Sequence, residues 1–316
     1  MAAINVAVNT STLPKLALIA GPTASGKSAL AIALAEQHGG TIINADSAQV
    51  YRDLRIVTAR PSEEDEARAP HRLFGHVDGA DIGHNAARWA ADARAAITET
   101  LAEGRLPILV GGTGLYLRTL LDGIAPVPEI DPAIRTEVRA LPVADAHRQL
   151  SALDPPAAAR LHPSDTTRTA RALEVILATG RTLSDWQRHR EGGIGGAIDL
   201  RAAVLLPDRD WLNARIDARF AIIVDEGRSE VAALLARSDV PAGAPIRRAI
   251  GVPELAALER GDIDRDAACR LGATATRQYA TRQSTWFRNQ PPPTWMRLHG
   301  NDRAVQRTQI ATLLRR

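Results

Sequence analysis

Residues Gly21-Pro22-Thr23-Ala24-Ser25-Gly26-Lys27-Ser28 form an uninterrupted G-x-x-x-x-G-K-[ST] run near the start of a 316-residue chain. The apolar stretch Leu16 to Ala20 leads into it as a buried strand, and Ser28 to His38 leaves it as an Ala/Leu-rich helix closed by Gly39 and Gly40. Strand, glycine-rich turn and helix in that order make a phosphate-binding loop. Backbone N–H groups and the positive end of the helix dipole converge there on phosphate oxygens. Lys27 supplies a compact charge, and the Ser28 hydroxyl is placed to hold Mg²⁺. The chain has 37 arginines and two lysines, yet keeps lysine at 27, where a planar guanidinium would not fit the loop.

Outward from the loop, Thr41 to Ala45, Leu106 to Val110, Arg201 to Leu206 and Trp295 to Leu298 read as further strands. Helical patterns fall between them, notably Ala86 to Glu103 and Asn213 to Ala236. That alternation predicts an α/β fold, a P-loop-containing parallel sheet core with helices on both faces. From Pro126 to Gly196 the rhythm breaks into helix signals, prolines and charges without a convincing strand, and Gly192, Gly193, Gly195 and Gly196 mark a flexible return. The expected organisation is a flexible tail over 1–14, a catalytic core over 15–125 and 197–316, and a helical insertion domain over 126–196.

Apolar residues make up 45% of the chain, ample for a sizeable core. A single cysteine, Cys269, excludes an intramolecular disulfide framework and suits a reducing compartment; in its Ala/Leu surroundings it reads as packing. No apolar run is long enough to cross a bilayer, and Met1 to Pro14 lacks the features of an export signal, so a cytoplasmic protein without membrane association is expected. Net charge is only +3, but nine arginines face one acid between Arg270 and Arg316, and six arginines with two histidines face three acids between Arg160 and Arg190. Two basic surfaces fit either a polyanionic partner or the solvated face of an arginine-rich chain. His71, His76 and His84 lie close together, but their irregular spacing without cysteine does not predict a metal centre.

Open α/β sheets bind ligands at the carboxyl ends of their strands. There the sequence places Asn44-Ala45-Asp46-Ser47-Ala48-Gln49-Val50-Tyr51 and Gly111-Gly112-Thr113-Gly114. An ordinary P-loop NTPase has an apolar strand ending in an Mg²⁺-holding Asp, whereas Ile108-Leu109-Val110 runs into glycines. Ala221 to Asp225 imitates the acidic strand, but Ile216, Phe220, Ile223 and Gly227 continue a helical spacing that makes Asp225 a surface position. Asp46 is then the carboxylate near the phosphates, able to hold metal-bound waters or to accept a proton from a nucleophile. Arg215 and Arg219, four apart on one helical face, either neutralise a leaving phosphate group or pair with surface acids.

Together and in order, G-P-T-A-S-G-K-S, N-A-D-S-A-Q-V-Y, V-T-A-R-P (57–61), L-V-G-G-T-G-L-Y (109–116), R-x-x-R-A-L-E-V (168–175), R-I-x-x-R-F (215–220) and T-R-Q-Y-A-T-R-Q-S-T-W-F (276–287) resemble the tRNA dimethylallyltransferase family, bacterial type. The resemblance spans about 15 to 290. It implies transfer of a dimethylallyl group from dimethylallyl diphosphate to N6 of the adenosine 3′-adjacent to the anticodon (position 37). In this reading Gly21 to Ser28 bind the diphosphate, that is Gly21, Pro22, Thr23, Ala24, Ser25, Gly26, Lys27 and Ser28, with Mg²⁺ held through Ser28. Asp46 takes the proton, and Thr23, Lys27 and Arg219 stabilise the departing anion. The adenosine leaves its stack and is framed by Asp46, Ser47, Ala48 and Gln49, with Thr113, Arg135 and Arg248 contacting RNA. Thr167, Arg168, Thr169, Ala170 and Arg171 meet the anticodon stem-loop, and Arg277 and Arg282 lie on a backbone clamp whose apolar side is Tyr279, Ala280, Trp286 and Phe287. No obligate protein partner is implied.

Two segments depart from the family pattern. Gly251-Val252-Pro253-Glu254 stands where G-Y-[KR]-E is usual, in a segment expected to face RNA, and Ala280-Thr281-Arg282-Gln283 where A-K-R-Q is frequent. Three rival readings are an adenylate isopentenyltransferase acting on free nucleotides, a small-molecule P-loop kinase and a non-catalytic RNA-binding protein. The long insertion and basic C-terminal helix weigh against the first, the missing acidic strand against the second, and Lys27, Ser28 and Asp46 together against the third.

Overall fold

The computed structural model describes residues 13–315. Most of the expected tail lies outside these residues; Leu13 and Pro14 lie within them, and the Pro14 carbonyl accepts a hydrogen bond from the Asp199 amide. Six strands, β1 (Lys15–Ala20), β2 (Gly40–Asn44), β3 (His71–Arg72), β4 (Leu106–Gly111), β5 (Asp199–Leu206) and β6 (Met296–His299), form one sheet in the order β3-β2-β4-β1-β5-β6, every pair parallel. β1 sits between β4 and β5 with Leu16 to Ala20 buried on both faces, as a central parallel strand requires. β3, two residues on the edge, is absent from the sequence expectation because so short a strand carries no alternation to read.

Connections run through helices. α1 (Lys27–His38) follows β1 and ends at Gly39, whose φ of 62° forms the left-handed cap. α2 (Glu63–Arg68) and α3 (Ala86–Ala102) precede β3 and β4, and α4 (Gly114–Asp122) follows β4. Then come α5 (Pro132–Ala140), α6 (Val143–Leu153), α7 (Pro155–Arg160), α8 (Thr166–Thr179) and α9 (Leu183–Gln187) before the chain enters β5. After β5 run α10 (Arg209–Glu226), α11 (Arg228–Ala236), α12 (Val252–Glu259) and α13 (Arg265–Asn289), with α14 (Arg303–Arg315) after β6. The pattern read as one helix from Asn213 to Ala236 is two, divided at Gly227, where a Cβ would stand 2.7 Å from the Ile223 carbonyl oxygen and 2.9 Å from Val57. Leu30, Leu34, Ile108, Leu205, Ile310 and Leu314 contribute to one buried cluster that joins α1, the sheet and α14.

The chain divides into two compact units, Met1–Leu120 with Gly195–Arg316, and Leu121–Ile194. The second has its own small cores, Val138, Ala146, Ala170 and Leu173 in one and Leu150, Ala157, Ala158 and Ala172 in the other. Its fully buried Glu174 carboxylate accepts a 2.8 Å bond from Arg139 and lies 3.7 Å from Arg171. Among the described residues no helix is long and apolar enough to cross a membrane.

Candidate active site

The phosphate loop leaves β1 and turns into α1 through Ala24 (φ 62°) and Gly26 (φ 90°), both left-handed. Gly26 caps α1 without a side-chain partner, so the first-turn amides of the helix remain directed at the loop. Thr23 is pinned from two sides: its amide donates to Gln283 Oε1 at 2.8 Å, and its hydroxyl accepts from Arg219 at 2.6 Å. Arg215 Nε donates to the Ala24 carbonyl at 2.9 Å, so both arginines of the α10 face engage the loop and neither is held by a surface acid. Asp225, by contrast, lies on α10 and is paired with Arg265 at 2.7 Å.

Lys27, half-buried, donates from its ammonium to the Pro22 carbonyl at 3.2 Å, and desolvation lowers its pKa from 10.5 to about 8; Asp46 opposes the shift and Arg219 adds to it. Burial likewise lowers Arg219, against the pull of Asp46, and lowers Arg215 with Arg303 nearby. Lys27 and Arg219 thus form a pair of desolvated cations coupled to the one buried carboxylate, Asp46, with Arg215 and Arg303 nearer solvent.

Asp46, 8% exposed, follows β2 in a tight turn in which its amide donates to Asn44 Oδ1 at 2.8 Å and its Oδ1 accepts from the Ala48 amide at 3.0 Å. The adjoining glycines of β4 are explained by space. A Cβ on Gly111 would stand 2.1 Å from the Ala45 carbonyl oxygen, on Gly112 2.2 Å from Gln283 Nε2, and on Gly114 2.4 Å from the Trp286 ring. Thr113 is thereby brought against the Asp46 turn, its hydroxyl accepting from the Ser47 amide at 3.0 Å.

Two cavities meet here. One, about 250 Å³, is lined by the loop, α1, Arg215 and Arg303. The other, about 470 Å³, is lined by Ser47, Ala48, Tyr51, Val57, Tyr116, Phe220, Ile223, Arg248, Tyr279 and Arg282, an apolar and aromatic wall with cations at its edge. Thr23, Asp46, Thr58 and Arg219 belong to both. A ligand with an anionic head and an apolar body can place its head in the first cavity and its body in the second, with Asp46 beside the junction.

The remaining expected residues fall as follows. Gln49 lines the smaller cavity, but its amide nitrogen is occupied by the Thr58 and Ala59 carbonyls at 3.0 and 2.8 Å. Arg248 and Arg282 are exposed at the larger cavity, and Arg277, on the same helix as Arg282, is ion-paired with Asp217. In the second unit Arg135, Thr167 and Arg168 are exposed and Arg171 leans toward Glu174, whereas Thr169 and Ala170 are packed inside. The side chains of those two residues are therefore not on that unit's surface.

Two expectations change. Tyr279, assigned to an apolar core face, instead lines the larger cavity; burial, then Asp46, pushes its phenol up to about 12, while Thr113 and Ser47 interact with the hydroxyl. At the segment expected to face RNA, Gly251 (φ 105°) and Val252 are buried, a Cβ on Gly251 would stand 2.8 Å from Val57, and Pro253 alone is exposed. Val252 thus serves packing in this chain. Gln283, Tyr116 and Arg303 complete the site without having been singled out. Gln283 occupies a buried position on α13 and links Thr23 to the Gly112 carbonyl, which it reaches at 2.9 Å. A single glutamine on the buried helical stripe Thr276, Ala280, Gln283 and Phe287 is the signal that could have found it. Arg303 had none, since only tertiary packing carries the start of α14 to Gly26.

A phosphate grip without the acidic strand of an NTPase, opening onto an apolar chamber with a carboxylate at the joint, defines a P-loop group-transfer enzyme. The IPP transferase family pattern matches residues 49–290, and the chain belongs to that family. It is 61% identical over 284 residues to a tRNA dimethylallyltransferase of Sphingopyxis alaskensis, covering 89% of this chain and 92% of that one. It is 55% identical to one of Erythrobacter litoralis, covering 93% and 94%. Among solved structures it resembles a tRNA isopentenylpyrophosphate transferase of Bacillus halodurans (TM-score 0.68, 32% identity, 95% of this chain and 97% of that one). It also resembles a eukaryotic dimethylallyltransferase captured acting on tRNA (TM-score 0.74, 27% identity, 87% and 70%).

Proposed function

We propose that this enzyme transfers the dimethylallyl group of dimethylallyl diphosphate to N6 of the tRNA adenosine 3′-adjacent to the anticodon, position 37, with release of diphosphate. The observation that carries the reading is the position of Asp46, on the wall shared by a cationic phosphate cavity and an apolar chamber. The diphosphate lies on Gly21 to Ser28, with Lys27, Arg219 and the Thr23 hydroxyl against the oxygens that gain charge as the allylic C–O bond breaks. The C5 unit extends into the larger chamber. The exocyclic amine, whose lone pair is delocalised into the purine, hydrogen-bonds to Asp46; as the C–N bond forms, its proton passes to the carboxylate and the electron pair of the broken bond leaves with diphosphate.

Mg²⁺ is the metal this site suits, because the Ser28 hydroxyl offers a hard oxygen donor on the phosphate-side cavity, where the diphosphate oxygens would complete the set. When bound it neutralises charge on the diphosphate. The base, unstacked from the anticodon loop, is framed by Ser47, Ala48, Tyr116 and Tyr279, while Thr113, Arg248, Arg277 and Arg282 serve as contacts along the RNA. Arg135 and Arg168, with Arg171 and Thr167, are the contacts assigned to the second unit, Thr169 and Ala170 being buried beneath them. With tRNA and an isoprenoid diphosphate as substrates, the assigned compartment is the cytoplasm.

The test is label transfer from dimethylallyl diphosphate to unmodified tRNA, to the same tRNA with guanosine at position 37, and to free AMP. Incorporation confined to the adenosine-bearing tRNA is expected. Incorporation into AMP would replace the substrate, and none into any acceptor would remove the reaction.

A further inference from the structure

The structure separates His71 from His76 and His84 and adds a residue that spacing did not suggest. His71 Nδ1 lies 2.8 Å from the Ala69 carbonyl, away from the others. His76, His84 and Asp92 instead converge, each offering a ligand atom, with all three atoms within 4.8 Å of one another. His76 Nε2 stands 3.6 Å from Asp92 Oδ2, and the two imidazoles meet edge to face with centroids 5.7 Å apart. Asp92 comes from α3, two turns beyond the Asn85 cap, which is why a histidine count in the preceding segment misses it.

We propose that His76, His84 and Asp92 bind a late first-row divalent cation, zinc foremost, at a site separate from the Mg²⁺ site assigned to the phosphate loop. Ligand atoms on a tetrahedral zinc with bonds of about 2.0–2.1 Å lie about 3.3 Å apart, so one edge is nearly in place and the others close by small side-chain rotations. Two imidazoles with one carboxylate favour zinc over magnesium or calcium, which take oxygen.

The buried polar atoms point the same way. His76 Nδ1 and Nε2 and His84 Nε2 are enclosed without a hydrogen bond of good geometry, the His76 ring having only weak interactions with the Leu73 backbone and with Asp92, and a metal bond would satisfy one nitrogen on each ring. Burial lowers the pKa of both histidines, which keeps the rings in the neutral, ligating form. The clip ties the segment between β3 and α3 to the body of α3. Because His84 also lines the larger cavity, the metal fixes part of that chamber's wall. The inference stands on this side-chain cluster whatever the chamber accepts.

Chelator-stripped full-length protein is titrated with Zn²⁺ in competition with a chromophoric chelator, and with Co²⁺ followed by visible absorption. Expected are one tight equivalent of Zn²⁺, Co²⁺ bands of four-coordinate intensity, and a zinc-dependent rise in Tm. His76→Ala, His84→Ala and Asp92→Asn should each weaken Zn²⁺ binding about 100-fold or more and abolish the Tm rise, while His71→Asn behaves as wild type. Each variant is first melted in EDTA beside stripped wild type, and any one that keeps its Tm there suffices for the comparison. Absence of a tight equivalent in the wild type, or equal binding in the wild type and such a variant, overturns the proposal.

Discussion

The Arg219 guanidinium donates to the Thr23 hydroxyl at 2.6 Å, joining α10 to the phosphate loop from a position almost two hundred residues later in the chain. A cation held this way is preorganised, because it needs no reorganisation when charge develops on the leaving group. Arg219→Ala is expected to lower the single-turnover rate by ~10²–10³-fold, and Thr23→Val, which leaves the cation but frees it, by less. Equal rates in Arg219→Ala and wild type would remove the assignment.

Asp46→Asn preserves the shape of the turn and removes the base. The turnover rate should fall ~10²–10⁴-fold, with dimethylallyl diphosphate and tRNA still bound in equilibrium assays. A variant turning over normally would leave Asp46 with a metal-ordering role at most.

Lys27 gives the donor affinity a pH dependence. Its ammonium is lowered from 10.5 to about 8 in the free protein, and a bound diphosphate favours the protonated form, so binding above that pH takes up a proton. Apparent affinity for dimethylallyl diphosphate should be level below about pH 8 and fall about tenfold per unit above it. Calorimetry in buffers of different ionisation enthalpy measures the proton uptake directly; a flat profile to pH 9.5 would contradict the shift.

Gln283 holds the Thr23 amide and the Gly112 carbonyl at once, 5% exposed. Gln283→Ala leaves both groups without that partner and should cost about 1–3 kcal/mol in thermal or denaturant unfolding. Because the freed Thr23 belongs to the loop, KM for the donor should rise more than KM for tRNA; an unchanged ratio of the two would make Gln283 a packing residue only.

The long-range parts of the site were the least legible in the sequence. β1, β2, β4 and β5 could be read because each is an apolar run delimited by glycines or charged residues, and the phosphate loop because all its donors are local. β3 is too short to signal, and Gly227, where α10 gives way to α11, continues the helical spacing begun at Ile216, so the pattern carried no sign of the division. Thr23, Asp46 and Arg219 could be suggested from local motifs, but their common wall comes from the sheet placing the ends of β1 and β2 beside α10. Tyr279 shows the limit of helical periodicity: a large, mostly apolar ring on an inward stripe looks the same whether it faces a core or a chamber.

The crowding around Gly111, Gly112 and Gly114 reaches beyond chemistry. Each of these glycines stands where the next heavy atom would collide with Ala45, Gln283 or Trp286. In a genetic screen scoring every substitution by growth, this loop would register as intolerant as Asp46 itself. Three of its four positions would be silenced by steric exclusion, and a selection map of the gene would outline the packing seam between β4 and α13 as sharply as the reaction centre.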